Sequence, residues 1–341
     1  MSNKFLSTTS AFLLSTSILV ADVPKVSVDI APVHSLVSKV MSGVGKPDLI
    51  IPAGASPHEY RLKPSNAKSL QDANLVFWIG EDLSPWLEKG LSSLAEDASI
   101  TSLLGVDGIQ PLSFREGALF EAHDHDDHDD HDDHDKKAKK GDHDGHDHDD
   151  HDDHDDHDKK AKKGDHDGHD HGKYDPHAWL SPQIAKVWLN VIAAKLSEAD
   201  PDNAAAYFSN AKLARDNIDS LVSEVKSILD PMRDKKFVVF HDAYQYFEKD
   251  FGISASGAIS LSDASDPSPA RVAEVRKRVV DEAVDCVLSE PQFNNGLANA
   301  VVEGTNANIS VIDPLGVKLE AGPNLYENLI RKLATNLAEC F

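Results

Sequence analysis

Residues 201–229 read PDNAAAYFSNAKLARDNIDSLVSEVKSIL, a segment of 29 residues with proline at its first position and no glycine. Apolar side chains recur along it at a roughly helical spacing, at Ala205, Phe208, Leu213, Ile218, Leu221, Val225 and Leu229. At 1.5 Å per residue such a helix would span roughly 40 Å, which is longer than one small domain. We therefore predict that residues 201–229 form a helix that joins two lobes.

On both sides of this segment, short β-type runs alternate with helical patterns, as is typical of α/β proteins with mainly parallel strands. The predicted strands are 26–30, 48–51 and 75–79 before the helix, and 237–240, 258–261, 286–288 and 309–312 after it. The predicted further helices are 35–41, 65–73, one from 85, 182–197, 244–249, 269–285, 297–303 and one from 326. The predicted fold class is α/β, with lobes of sheet and flanking helices at 22–200 and 230–341 and a cleft between them.

The N-terminus has the pattern of an export signal. Lys4 precedes an apolar run, 5–20, that is interrupted only by serine and threonine. This run is short and rich in hydroxyl groups, which is typical of a signal peptide and not of a membrane-spanning helix. We predict a signal peptide at 1–21 and a periplasmic protein, without a lipid anchor because no cysteine lies near the expected cleavage site.

The chain has two cysteines, Cys286 and Cys340. An oxidising compartment would let them form one disulfide, which would attach the C-terminus to a strand. Two buried free thiols are the alternative. A cysteine-based metal site is disfavoured, because neither residue lies in a CxxC spacing.

The negative charge is concentrated in one tract. Residues 123–171 contain 21 Asp and 8 Lys, so they contribute −13 of the formal net charge of −24. Nucleic acid is therefore excluded as a partner, because it binds to clustered Lys and Arg, and a cation is the natural ligand. The tract is also partly duplicated, since 128–150 recurs almost entirely from 151.

The same tract holds 14 of the 18 histidines. They are His123, His125, His128, His131, His134, His143, His146, His148, His151, His154, His157, His166, His169 and His171. With almost no apolar residue the tract cannot offset the entropy of ordering its backbone, so we predict a disordered loop at 121–172. Imidazole beside carboxylate is a good zinc donor set, so the loop is expected to offer many weak metal sites.

Three of the remaining histidines are placed for a shared site. His58 follows the predicted strand 48–51 through a turn, and His241 follows the strand 237–240 directly. Ligands bind beyond the carboxyl ends of parallel strands, and His177, between the loop and a helix, can reach the same crevice. Three imidazoles suit zinc, copper or nickel better than manganese, and zinc leads.

Zinc usually takes four ligands, so three histidines leave one position. Two side chains are candidates for the fourth ligand: Glu59, next to His58, and Asp313, at the end of a predicted strand. A water molecule is the third candidate. His34 also follows a predicted strand end and is a candidate auxiliary ligand.

Five short motifs resemble signatures of one family. They are GASPHEY (54–60), DPHAWL (175–180), FHDAY (240–244), EPQF (290–293) and DPLG (313–316). In this order they resemble the metal-binding cluster of solute-binding proteins, and in particular the zinc-specific ZnuA type. The resemblance extends from about residue 25 to the end of the chain, except for the acidic loop.

The resemblance implies two α/β lobes joined by a rigid helix, with zinc bound in the cleft as the transported ligand. It implies His58, His177 and His241 as ligands and a disulfide matching Cys286 and Cys340. The implied partner is the membrane permease of an ABC importer, and we expect a monomer. Manganese-type relatives usually carry a carboxylate where this chain has His241, which favours zinc.

Two other functions remain open. An extracellular metal-storage or adhesion protein would use the loop as its working part, and deletion of 123–171 would then remove most of its metal capacity. A zinc hydrolase would also use three protein ligands and a water, but no HExxH motif, nucleophile elbow or P-loop is present.

Overall fold

The computed structural model describes residues 23–115, 120, 173–260 and 267–341. The predicted signal peptide at 1–21 and the predicted disordered loop at 121–172 lie outside these residues. None of the helices in the described residues has the length and apolar character that spanning a bilayer requires.

The first half of the chain forms a sheet of four parallel strands with helices between them. Its elements are β1 (Val26–Val28), α1 (Ala31–Val40), β2 (Asp48–Leu49), α2 (Pro64–Asp72), β3 (Leu75–Trp78), α3 (Pro85–Leu94) and β4 (Ser99–Ser102). The strand order is β2-β1-β3-β4. This agrees with the predicted α/β class.

Two helices then lead to the second half of the chain. They are α4 (Pro182–Ala199) and α5 (Ala204–Leu229). Ser181 caps α4, since its hydroxyl accepts a hydrogen bond from the backbone N–H of Ile184 at 3.1 Å. The long helix α5 packs against both α1 and α4.

The second half repeats the same arrangement. Its elements are β5 (Phe237–His241), α6 (Gln245–Phe251), β6 (Ala258–Ser260), α7 (Pro269–Asp281), β7 (Cys286–Ser289), α8 (Asn295–Val302), β8 (Asn308–Val311) and α9 (Leu325–Ala338). The four strands are parallel, in the order β6-β5-β7-β8. The C-terminal helix α9 packs against α1 and α5.

Strand β5 is buried on both faces. Phe237 and Val239 belong to a large core that includes side chains of both sheets and of α5. Val238 and Phe240 belong to a smaller core with α7 and α8. Successive side chains of a strand point to opposite faces, so this division explains why β5 is a continuous apolar run.

The predicted disulfide is confirmed. Cys286, the first residue of β7, forms a disulfide with Cys340, which follows α9 in the chain, and their Cα atoms are 5.8 Å apart. The alternative of two free thiols is therefore wrong. The bond attaches the C-terminal helix to the second sheet, and both residues are buried.

One local prediction is wrong, and two further features of the structure differ from the sequence pattern. His34 does not follow a strand end but lies inside α1, which begins at Ala31 because Pro32 is well suited to a first helical turn. Phe208 and Leu213 are not on the buried face of α5, since they are 51% and 62% exposed. The edge strand β4 has no counterpart in the prediction.

The buried face of α5 follows a stricter helical spacing than the predicted one. Its members are Tyr207, Ala211, Ala214, Ile218, Leu221, Val222, Val225 and Leu229. Steps of three and four residues keep these side chains in one stripe, whereas Phe208 and Leu213 fall outside it. Ala211 and Ala214 belong to this stripe, although alanine alone gives little sequence signal for burial.

Candidate metal centre

Three elements carry the histidines predicted to share a site. His58 lies in the turn after β2, His177 precedes the short turn that leads into α4, and His241 is the last residue of β5. His241 is thus fixed by the sheet, where it pairs in register with Ser260 of β6. His177 and His241 are each only 4% exposed, and His58 is half-buried.

The structure brings the three imidazoles together. The ring centroids of His58 and His177 are 5.5 Å apart, and those of His177 and His241 are 5.2 Å apart. The Nε2 atoms of His177 and His241 are separated by 3.4 Å. As the side chains lie, however, no group of three His, Cys, Asp or Glu residues in the described ranges is already arranged to hold a metal ion.

Two buried carboxylates orient the rings of His177 and His241. Asp175 Oδ1 lies 2.8 Å from Nδ1 of His177, and Glu290 Oε1 lies 2.7 Å from Nδ1 of His241. Because an ionised carboxylate only accepts hydrogen bonds, each Nδ1–H donates to its carboxylate. Nε2 of each ring then carries the lone pair that a metal can use, and the two Nε2 atoms face each other.

Both carboxylates are almost inaccessible to solvent, since Asp175 and Glu290 are each 1% exposed. Burial raises the pKa of Asp175 to about 7, and hydrogen bonds from the backbone N–H of His177 and from Gln245 oppose that rise. A cation bound at Nε2 of His177 would favour the ionised form of Asp175, so the carboxylate and the cation would stabilise each other.

The histidines line a narrow cavity of about 10 Å³. Its other walls are Ser56, Pro57, Trp179, Glu290, Gln292, Phe293, Pro314 and Leu315. The indole N–H of Trp179 donates to the carbonyl oxygen of Pro314 at 2.8 Å, which ties together the two sides of the cavity. A space of this size accommodates about one water-sized particle, which is the scale of a single ion.

The remaining candidates lie outside this cavity. Nε2 of His34 is 3.0 Å from the carbonyl oxygen of Pro47, and burial lowers the pKa of this histidine. Glu59 is exposed. The carboxylate of Asp313 accepts hydrogen bonds from the backbone N–H groups of Leu315, Gly316 and Val317, so it shapes the loop that closes one wall. The tract histidines at 123–171 lie outside the described residues.

Sequence reasoning missed Asp175 and Glu290 as partners of the histidines. Asp175 stands two residues before His177, a spacing that allows side-chain contact and could have indicated it. Glu290 is 49 residues from His241 and reaches it because β5 and β7 are neighbours in the sheet. Only knowledge of the strand order could have identified that pair.

A larger cavity, of about 610 Å³, lies elsewhere and contains none of the three histidines. It is lined by residues of 108–112 and of α4, together with Tyr246, Lys249 and Asp250. Its lining residues in the described part of the chain include no histidine or cysteine, and Asp250 is the one carboxylate among them. The small histidine cavity is therefore the candidate centre for a metal ion.

Comparison with known proteins adds independent support. Residues 26–340 match the family model ZnuA, described as zinc-uptake complex component A, periplasmic. The high-affinity zinc uptake system protein ZnuA of Brucella abortus (strain 2308) is 45% identical over 333 residues, which are 97% of this chain and 96% of that protein. The protein of the same name from Paracoccus denitrificans (strain Pd 1222) is 43% identical over 321 residues, covering 94% and 92%.

The fold is also shared with solved structures. A crystal structure of ZnuA superimposes with a TM-score of 0.69 at 22% identity, covering 94% of this chain and 99% of the other. The family match extends over nearly the whole chain, and the curated relatives are similar along almost their full length. The chain therefore belongs to the ZnuA family of periplasmic zinc-uptake components.

Proposed function

We propose that this chain is the zinc receptor of an ABC importer, which captures Zn²⁺ in the periplasm and delivers it to the membrane permease. The observation that carries the proposal is the pair of buried imidazoles with facing Nε2 atoms 3.4 Å apart, each backed by a carboxylate. The relatives are named for high-affinity zinc uptake, in agreement with this site.

The spacing of the two nitrogens suits one shared ion. If a zinc ion lay at the usual distance of about 2.0 to 2.1 Å from both Nε2 atoms, the Nε2–Zn–Nε2 angle would be roughly 110°, which is close to the tetrahedral value. In this proposal His58, which is carried by a turn, moves onto the ion as the third ligand. The fourth position is left to Glu59, to Asp313 or to water.

The donor set favours zinc over manganese. Imidazole nitrogen suits zinc, copper and nickel, whereas manganese prefers oxygen ligands. Both cysteines are bonded to each other, so no thiolate competes for the ion. Competition of zinc with copper and nickel in one titration would measure the selectivity.

The test is substitution of each proposed ligand. His58→Ala, His177→Ala and His241→Ala should each lower zinc affinity by more than the roughly 10- to 100-fold that outer groups contribute. Titration against a chromophoric chelator measures the affinity. His34→Ala is the matched control, since His34 is bonded to Pro47 outside the cavity. Unchanged affinity in His241→Ala would exclude His241 as a ligand.

Delivery and location complete the proposal. We take 1–21 as the signal peptide, 22–200 and 230–341 as the lobes, 201–229 as the joining helix, and the mature receptor as a monomer and not an enzyme. A zinc-uptake mutant complemented with the wild-type chain should grow under chelation, while the His241→Ala chain should not support growth. N-terminal sequencing of the exported protein would locate the cleavage site.

A further inference from the structure

The chain segments on either side of the His/Asp tract run side by side. We call Leu112–Arg115 and Lys173–Asp175 together the stem. The backbone N–H of Asp175 donates to the carbonyl oxygen of Leu112 at 2.8 Å, and Ser113 and Tyr174 form an antiparallel bridge. The stem ends two residues before His177, so its position bears directly on one proposed zinc ligand.

The stem is bonded to the start of α6. The Tyr246 hydroxyl accepts a hydrogen bond from the N–H of Leu112 at 2.9 Å and donates to the carbonyl oxygen of Asp175 at 2.7 Å. The side-chain amide of Gln245 donates to the carbonyl oxygen of Ser113 at 3.1 Å and to Oδ2 of Asp175 at 3.2 Å. Asp175 thus bonds to both His177 and α6.

Arg115 adds a charged connection at the end of the stem. Its Nε lies 3.0 and 3.1 Å from the two carboxylate oxygens of Asp242, and Nη2 also donates to Asp242. Nη1 and Nη2 donate to the carboxylate of Glu248 at 2.8 and 3.0 Å. The two carboxylates are nearly buried, with 6% and 5% side-chain exposure, and the guanidinium lies over the ring of Phe120.

These contacts join the stem to residues 242–248, which directly follow β5, through residues adjacent to the proposed ligands. Asp242 directly follows His241, and Asp175 bonds to His177. Only a planar fork such as guanidinium can pair with two carboxylates in this way, since the ammonium of lysine is a single point charge. Moving the stem away from residues 242–248 would remove the guanidinium from the nearly buried carboxylates of Asp242 and Glu248, which is unfavourable.

We propose that Arg115 is a positioning residue of the zinc site, which holds the Asp242–Glu248 segment against the stem and so slows the release of zinc. This inference rests on the proposed function. Arg115 does not touch the ion. It acts by keeping His241 close to His177.

The test compares Arg115→Lys with a matched variant, Arg331→Lys. Arg331 makes a similar forked pair with Glu224, at 2.7 and 2.9 Å, on an exposed surface. Rapid mixing of the zinc-loaded full-length protein with excess chelator gives the dissociation rate, and circular dichroism confirms that each variant is folded. Arg115→Lys should release zinc about tenfold faster, as expected for groups outside the ligand sphere, and Arg331→Lys should match the wild type.

A purely structural role for Arg115 would lower the melting temperature without changing the dissociation rate of the folded protein. A folded Arg115→Lys variant that releases zinc at the wild-type rate would therefore overturn the inference. The proposed function is tested separately, by the zinc titrations of the wild type and of the three histidine variants. If those titrations show no zinc binding through the histidines, the proposed function is wrong, whatever the Arg115 variant does.

Hydrogen exchange of the wild type gives a second measurement that needs no variant to fold. Zinc should slow exchange at the backbone N–H groups of Leu112 and Asp175, because both are bonded within the stem and its contact with α6. The N–H of Asn308, bonded to Asp285 near the disulfide, should not respond. Equal exchange at the stem with and without zinc would also contradict the inference.

Discussion

The carboxylate of Glu290 lies behind His241, with Oε1 2.7 Å from Nδ1 of the ring. In Glu290→Gln the amide can present its NH₂ group to Nδ1, which favours the tautomer that leaves Nε2 protonated. We expect zinc affinity to fall by about 10- to 100-fold in the chelator titration. Glu224→Gln, at an exposed ion pair, is the control, and equal affinity in both variants would contradict this role for Glu290.

Asp29, at the end of β1, should make stability depend on pH. It is 1% exposed, and burial raises its pKa to about 7 against the opposing hydrogen bonds from Ile30 and Ile79. The unfolded chain loses this proton near pH 4 and the folded chain near pH 7. The protonated form of Asp29 therefore stabilises the folded chain at low pH. As pH rises from about 4 to about 7, the free energy of unfolding falls by up to about 1.4 kcal/mol per pH unit.

Asp29→Asn removes this titration. Between pH 5 and pH 7 the free energy of unfolding of the wild type should fall by roughly 2 to 3 kcal/mol relative to that of the variant. Urea unfolding with a chelator present, which removes the contribution of bound metal, measures both proteins. Parallel pH profiles for the two would show that Asp29 carries the same charge in the folded and unfolded chains.

Among the elements, α5 offers a direct test of its buried face. Leu221 is 2% exposed, whereas Leu213, on the same helix, is 62% exposed. Leu221→Ala should lower the free energy of unfolding by about 2 to 5 kcal/mol, because it leaves a cavity in the core. Leu213→Ala should change it by less than about 0.5 kcal/mol. Similar losses in both would mean that the observed stripe does not describe the packing in solution.

The sequence predicted most elements to within a few residues, for reasons that also explain its failures. Strands such as β3 and β5 are buried on both faces and therefore appear as unbroken apolar runs. The edge strand β4, Ser99–Ser102, is partly exposed, and three of its four residues are polar, so it carries no such signal. Helical spacing alone could not exclude Phe208 and Leu213, because the positions of neighbouring helices decide which face is buried.

The histidines of the candidate site could be predicted from the sequence, because they lie near the ends of predicted strands and helices. The ends of predicted elements indicate His58, His177 and His241, and the structure brings these three residues to one cavity. Glu290 and Arg115 depend on which strands and segments become neighbours, which a single sequence does not reveal. Their roles therefore emerge only from the three-dimensional arrangement.

At the scale of the whole molecule, the disulfide should contribute to stability and not to zinc binding. It closes a sequence separation of 54 residues, for which the chain-entropy estimate is about 4 kcal/mol. The double variant Cys286→Ala, Cys340→Ala should lose about this much in guanidinium unfolding. Its zinc affinity should remain within about twofold, because Cys286 begins β7 whereas Glu290 follows the other end of that strand. A large loss of affinity would indicate that the bond also positions the site.

The contacts of α5 with α1, α4 and α9 have a consequence for any attempt to divide the molecule. A fragment that ends at Asp200 would expose the apolar surfaces of α1 and α4 to solvent. A fragment that begins at Lys235 would expose the apolar surface of α9. Neither fragment should appear in the soluble fraction of cells that produce it alone. Co-production of a piece containing α5 with its complement is expected to rescue both, since each supplies the wall that the other lacks.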